Sequence, residues 1–124
     1  MLNAANAVAT IPVRDIDRAK EFYGRTLGLK EESSEMGEVT TFRSGESAVL
    51  VYESEHAGTN EATTATWTVK DVDAEVEALK AKGVAFEHYD MPGMKLEGDV
   101  HVAEGQRAAW FKDPDGNILA IVSQ

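Results

Sequence analysis

Val13-Arg14-Asp15-Ile16-Asp17 returns 56 residues later as Val69-Lys70-Asp71-Val72-Asp73. Each copy joins an alternating apolar segment to a helical pattern. Before the first copy, Ala7, Ala9, Ile11 and Val13 occupy every second position, as in a strand with one face in a core. After it, Asp15 suits a helix N-cap. Ile16, Ala19, Phe22, Tyr23 and Leu27 then recur at helical spacing, and Gly28 supplies a stop. Around the second copy, Thr64 to Val69 reads as a strand. Asp71 caps a helix carrying Val72, Val76 and Leu79, and Gly83 ends it. Acids fill the first half of that helix and Lys80 and Lys82 its end, which suits the helix dipole.

Three strand candidates follow each helix. In the first half they are about 29–34, 38–43 and 48–52, with Gly37 and Gly45 at the turns. In the second they are about 84–89, 107–111 and 117–122. Gly28 matches Gly83 at an offset of 55, and Phe42-Arg43 matches Phe111-Lys112 at 69. The growing offset leaves room for an insertion, expected as a flexible, partly apolar loop over 91–105. The pattern predicts an α+β chain of tandem βαβββ modules, about 6–54 and 63–123, within one domain spanning 1–124. Helices should cover the outer face of a curved mixed sheet. The other face is left as a concave cup, a natural place for a ligand.

Composition narrows the function. The net charge of -10 opposes nucleic-acid phosphates and anionic membranes. It suits a cationic ligand without demanding one. With no cysteine, disulfides, thiolate nucleophiles and iron–sulfur ligation are excluded. No apolar run is long enough to span a bilayer and no secretory signal is evident, so the expected location is the cytoplasm.

The two βα units, with Phe22-Tyr23, Leu27-Gly28 and the closing Phe111-Lys112-Asp113-Pro114-Asp115-Gly116-Asn117, resemble the vicinal oxygen chelate superfamily. That superfamily comprises glyoxalases, bleomycin resistance proteins and extradiol dioxygenases. The resemblance covers essentially the whole chain and implies the cupped fold and a homodimer. In metal-dependent members, four His, Gln or Glu ligands line the cup. The resemblance puts those positions at Val8, Val51, Thr64 and Ala120. Two valines and an alanine have no donor atom, and a neutral threonine hydroxyl is a poor transition-metal ligand. The expectation is therefore no metal, no other cofactor and no metal-dependent glyoxalase or dioxygenase chemistry.

Alternation extends the cup surface from Val8 to Thr10, from Thr64 to Thr66 and Thr68, and from Val51 and Ala120 to Val49, Ile118 and Val122. Phe111 repeats the core position of Phe42, which sends its neighbour Trp110 to the cup, although a dimer interface would also bury it. The ligand-binding candidates are Val8, Thr10, Val51, Thr64, Thr66, Trp110 and Ala120, and no catalytic residue stands out. His88 and His101 flank the insertion and have the chemistry to act if they reach the cup. The reading is a metal-free protein that holds a small organic molecule, as bleomycin resistance proteins do. Its alternative is a glyoxalase-like lyase or isomerase working with non-standard cup residues.

Overall fold

The computed structural model describes residues 1–35 and 39–124. The expected turn at Gly37 and the start of the next strand at Glu38 lie outside those residues. The chain forms two compact units, Met1–Thr59 and Asn60–Gln124.

In the first unit, β1 (Ala9–Val13) leads into α1 (Ile16–Lys20). The Asp15 carboxylate accepts the main-chain N–H groups of Asp17 and Arg18, at 2.9 and 3.2 Å. Two otherwise unpaired helix donors are thereby satisfied. The helix then widens into a π-type turn over Glu21–Thr26, where the Leu27 amide reaches back to the Phe22 carbonyl. Three strands follow: β2 (Lys30–Glu35), β3 (Val39–Ser44) and β4 (Ser47–Glu53). The sheet order is β1-β4-β3-β2, with β1 parallel to β4 and the other pairs antiparallel. Ile11, Val13, Tyr23, Phe42 and Val51 are fully buried between sheet and helix. Burial of this kind is worth roughly 1.5–3 kcal/mol for each large apolar side chain.

The second unit repeats the plan with additions. β5 (Thr63–Val69) leads into α2 (Val72–Ala81), capped by Asp71 through the Ala74 amide at 3.0 Å. At the helix end, the Val84 amide bonds the Leu79 carbonyl and the Gly83 amide bonds that of Lys80. This closing pair needs a left-handed residue, and Gly83 supplies it with φ +92°. The strands are β6 (Phe86–Glu87), β7 (Lys95–Glu97), β8 (Val100–Ala103), β9 (Gln106–Lys112) and β10 (Ile118–Ser123). The order is β5-β10-β9-β8-β7, with β6 also paired to β9 and β5 parallel to β10. Val72, Val76 and Leu79 of α2, together with Phe111 and Leu119, form its core.

Two sequence expectations are corrected here. The 91–105 insertion is not a plain loop, because it contains the β7–β8 hairpin, closed by Gly98-Asp99 between the paired Glu97 and Val100. Strands this short carry too little alternation to be seen in sequence.

The second correction concerns Val49 and Val51. They were expected on the cup face with Thr10, but the register aligns Val51 with Ile11 and Val49 with Phe42. Side chains abreast in a ladder share a face, so both valines lie on the helix side, and both are buried. The cause is turn length. Arg43 pairs with Ala48 across four intervening residues, whereas Lys112 pairs with Ile118 across five. Beyond the turn the repeat offset is therefore 70 rather than 69, and a one-residue slip exchanges the faces of a strand. The true partner of Ala120 in the repeat is Leu50.

Candidate ligand-binding site

On the open face of the second unit, Thr66, Ala120, Trp110 and Glu87 lie abreast on β5, β10, β9 and β6. The next row holds Thr68, Val122, Ala108 and His101. Thr66, Trp110 and Ala120 are therefore brought together as alternation requires. Thr64 departs from the pattern. The ladder passes from Thr63 opposite Ile118 directly to Ala65 opposite Leu119, so Thr64 is the bulge residue. Its hydroxyl is buried without a hydrogen-bond partner among the described residues. Thr63, which sequence reasoning did not select, takes the polar role instead, accepting the Trp110 indole N–H at 3.2 Å.

In the first unit, Val8 precedes β1 and is exposed. The exposed Thr10 is abreast of Leu50 on the open face, and its hydroxyl donates to the Val8 carbonyl at 3.3 Å. Val51 is not on that face.

An aromatic cluster dominates the second unit's open face. The rings of His101 and Trp110 stand edge to face with centroids 4.9 Å apart, and Tyr89 meets Trp110 at 5.6 Å and 70°. These geometries suit the ring quadrupoles. Two hollows adjoin the cluster. One, of about 570 Å³, is lined by Trp110, Tyr89, Met91, Ile118 and the carboxylates of Glu61 and Asp90. Neither carboxylate has an ion-pair partner among the described residues. The other, of about 290 Å³, is lined by His88, His101, Met94, Leu96 and Lys95, and shares Tyr89 and Asp90 with the first. His88 and His101 thus border one cavity. Sequence reasoning named His101 only on the condition that it reach the cup and did not select Tyr89 or Asp90, because their placement depends on the hairpin.

The hairpin is tied down by charge. Asp99 accepts Lys80 Nζ from α2 and lies against His88 Nε2, each at 2.7 Å. Those hydrogen bonds, that of Lys80 first, hold the Asp99 carboxyl below its ordinary range. Asp99 in turn raises the Lys80 ammonium. Burial, followed by the charge of Glu87, pushes the Tyr89 phenol up, so it stays protonated as a donor.

This fold and site define a tandem βαβββ protein with two hollows on the open sheet face of its second unit. The sequence model of the Glyoxalase/Bleomycin resistance protein/Dioxygenase superfamily matches residues 5–121, and the chain belongs to that superfamily. Among solved structures it resembles a glyoxalase/bleomycin resistance protein from Streptomyces sp. CB03234, at 24% identity and TM-score 0.63, covering 94% of this chain and 98% of that one. It also resembles lactoylglutathione lyase from Agrobacterium tumefaciens, at 17% identity and TM-score 0.72, covering 97% and 93%. A third is a fosfomycin resistance protein from Listeria monocytogenes, at 16% identity and TM-score 0.70, with the same coverage. At these identities the likeness is one of fold. No curated protein matches the sequence.

The superfamily's metal can be tested against the donors present. With the register corrected, the four positions hold Val8, Leu50, Thr64 and Ala120. None offers an imidazole or carboxylate. Among the described residues, no group of three or more His, Cys, Asp or Glu is placed to hold a metal ion. The residues do not fit a transition metal. Among them, too, no helix is long and apolar enough to cross a membrane.

Proposed function

We propose that this protein binds a small, planar, cationic organic molecule without metal, holding it against Trp110 and Tyr89 in the larger hollow. The observation that carries this reading is the pairing of two aromatic rings with two carboxylates, Glu61 and Asp90, that have no ion-pair partner among the described residues, around one cavity. A cation over an aromatic face gains about 0.5–2 kcal/mol, more as it is desolvated. The carboxylates add attraction that salt screens. A volume of about 570 Å³ falls within the range of small-molecule sites. Thr63 supports the reading by fixing the indole through its N–H. The valine, leucine and alanine at three of the ligand positions favour holding by fit over coordination.

Calorimetry with 1-methylquinolinium and its neutral counterpart quinoline tests this. The cation should bind at least about tenfold more tightly at low salt, lose that advantage in high salt, and be recovered unchanged. Trp110→Ala should weaken it by roughly tenfold, in line with the cation–aromatic range. Equal binding of the two compounds, or an unaffected Trp110→Ala variant, refutes the assignment.

A further inference from the structure

His101 is 1% exposed, yet only one of its ring nitrogens is satisfied. The Tyr89 main-chain N–H donates to His101 Nε2 at 2.9 Å. An amide N–H can only donate, so Nε2 carries no proton, and the ring proton of the neutral imidazole sits on Nδ1. Among the described residues that Nδ1–H is buried with no hydrogen-bond partner. The Tyr89 hydroxyl is likewise buried and unpartnered. Leaving one such group unmet costs about 1–3 kcal/mol, so two in one aromatic cluster call for an explanation. The rings lie with centroids 6.0 Å apart at 34°, and both line the smaller hollow.

Both groups are donors. Burial holds the Tyr89 phenol protonated, and the main-chain bond fixes the imidazole tautomer. The remaining walls include Met94 and Leu96, apolar side chains exposed at 36% and 45% that a bound molecule would cover. Lys95 adds a positive charge to the rim. Asp90 also lines the hollow, but neither the His101 Nδ1–H nor the Tyr89 hydroxyl meets an acceptor among the described residues.

We infer that the smaller hollow is an acceptor subsite, in which His101 Nδ1–H and the Tyr89 hydroxyl together take a carbonyl-type oxygen of the ligand. This rests on the proposed function only in that Tyr89 and Asp90 join the two hollows. A ligand spanning both is then a flat cation carrying a carboxamide, ketone or ester group at its edge. His101 becomes the residue that separates such molecules from plain aromatic cations. Rejection is strong where a site's polar groups would otherwise be left unpaired.

Matched probes test it. Wild type should bind 1-methylquinolinium-3-carboxamide about tenfold more tightly than 1-methylquinolinium. His101→Gln offers an amide oxygen to the Tyr89 N–H but has no donor at the Nδ1 position. Tyr89→Phe removes only the hydroxyl. Each variant should lose most of the tenfold gain, read within that variant as the ratio of its affinities for the two cations. Neutral quinoline-3-carboxamide reads the subsite alone. If neither cation binds, the cation reading fails, and the subsite stands only if wild type binds the neutral amide and both variants lose it. Equal affinity for the two cations in wild type overturns the subsite. So does a gain that survives in both variants. Long-range proton–nitrogen spectra of the free protein must show His101 as the Nδ1–H tautomer, and an Nε2–H tautomer or an imidazolium also overturns it.

Discussion

Val51 stands beside Ile11 in the parallel β1–β4 ladder, and Leu50 beside Thr10. Adjacent residues on one strand therefore meet opposite environments. Val51→Asp should cost about 4 kcal/mol or more, because it buries a carboxylate beside Ile11 and Thr40 with no opposite charge. Leu50→Asp should cost about 1 kcal/mol, the scale of a strand-propensity change on an open face. Urea unfolding of the two variants decides the register. Comparable losses would contradict it.

The Asp99 contact with Lys80 and His88 makes the hairpin's attachment pH-dependent. The folded-state carboxyl is held below its unfolded value of about 4, so its contribution is complete above that value. It is lost as pH falls through the lower folded value. Asp99→Asn should therefore lower the Tm at neutral pH, and the gap to wild type should close in acid, once pH has fallen below the lowered folded-state value. Hydrogen exchange should show faster opening of the β8 amides in the variant at pH 7. A gap that persists undiminished in acid would mean that the ion contacts do not hold the hairpin.

Between β8 and β9, Glu104 is the one non-glycine among the described residues with positive φ, at 49°, and is followed by Gly105 at 82°. Ala103 pairs with Gln106 around them. Such two-residue turns favour Asn-Gly, and a left-handed residue with a long side chain costs about 1–2 kcal/mol. Glu104→Asn should stabilise the protein by about 0.5–1 kcal/mol in chemical denaturation. A loss of stability would show that the turn does not adopt this geometry.

The parts of the fold legible in the sequence are those set by local rules. Asp15 and Asp71 announce caps, Gly28 and Gly83 announce stops, and Phe42 with Phe111 marks equivalent core strands. Trp110 follows from Phe111 because neighbours on a strand must oppose. Val51 went astray because its face depends on the turn before it, and Asp113-Pro114-Asp115-Gly116-Asn117 is one residue longer than its counterpart. Asp113 stabilises that longer turn, its carboxylate accepting the amides of Asp115 and Asn117 and the Asn117 side chain. Thr64 was misread because a bulge leaves no mark in the residue pattern. His101 between Val100 and Val102 gives no hint that its ring meets a main-chain amide twelve positions earlier.

The β7–β8 hairpin hangs from the scaffold by its pairing with β9 and by the Asp99 contacts, while one of its residues, His101, reaches the ring of Trp110. On the proposed function, selectivity and fold are carried by separable pieces of chain. If the hollow binds as proposed, exchanging that segment between relatives would re-tune what is accepted while leaving both helices and the parallel strand pairs in place.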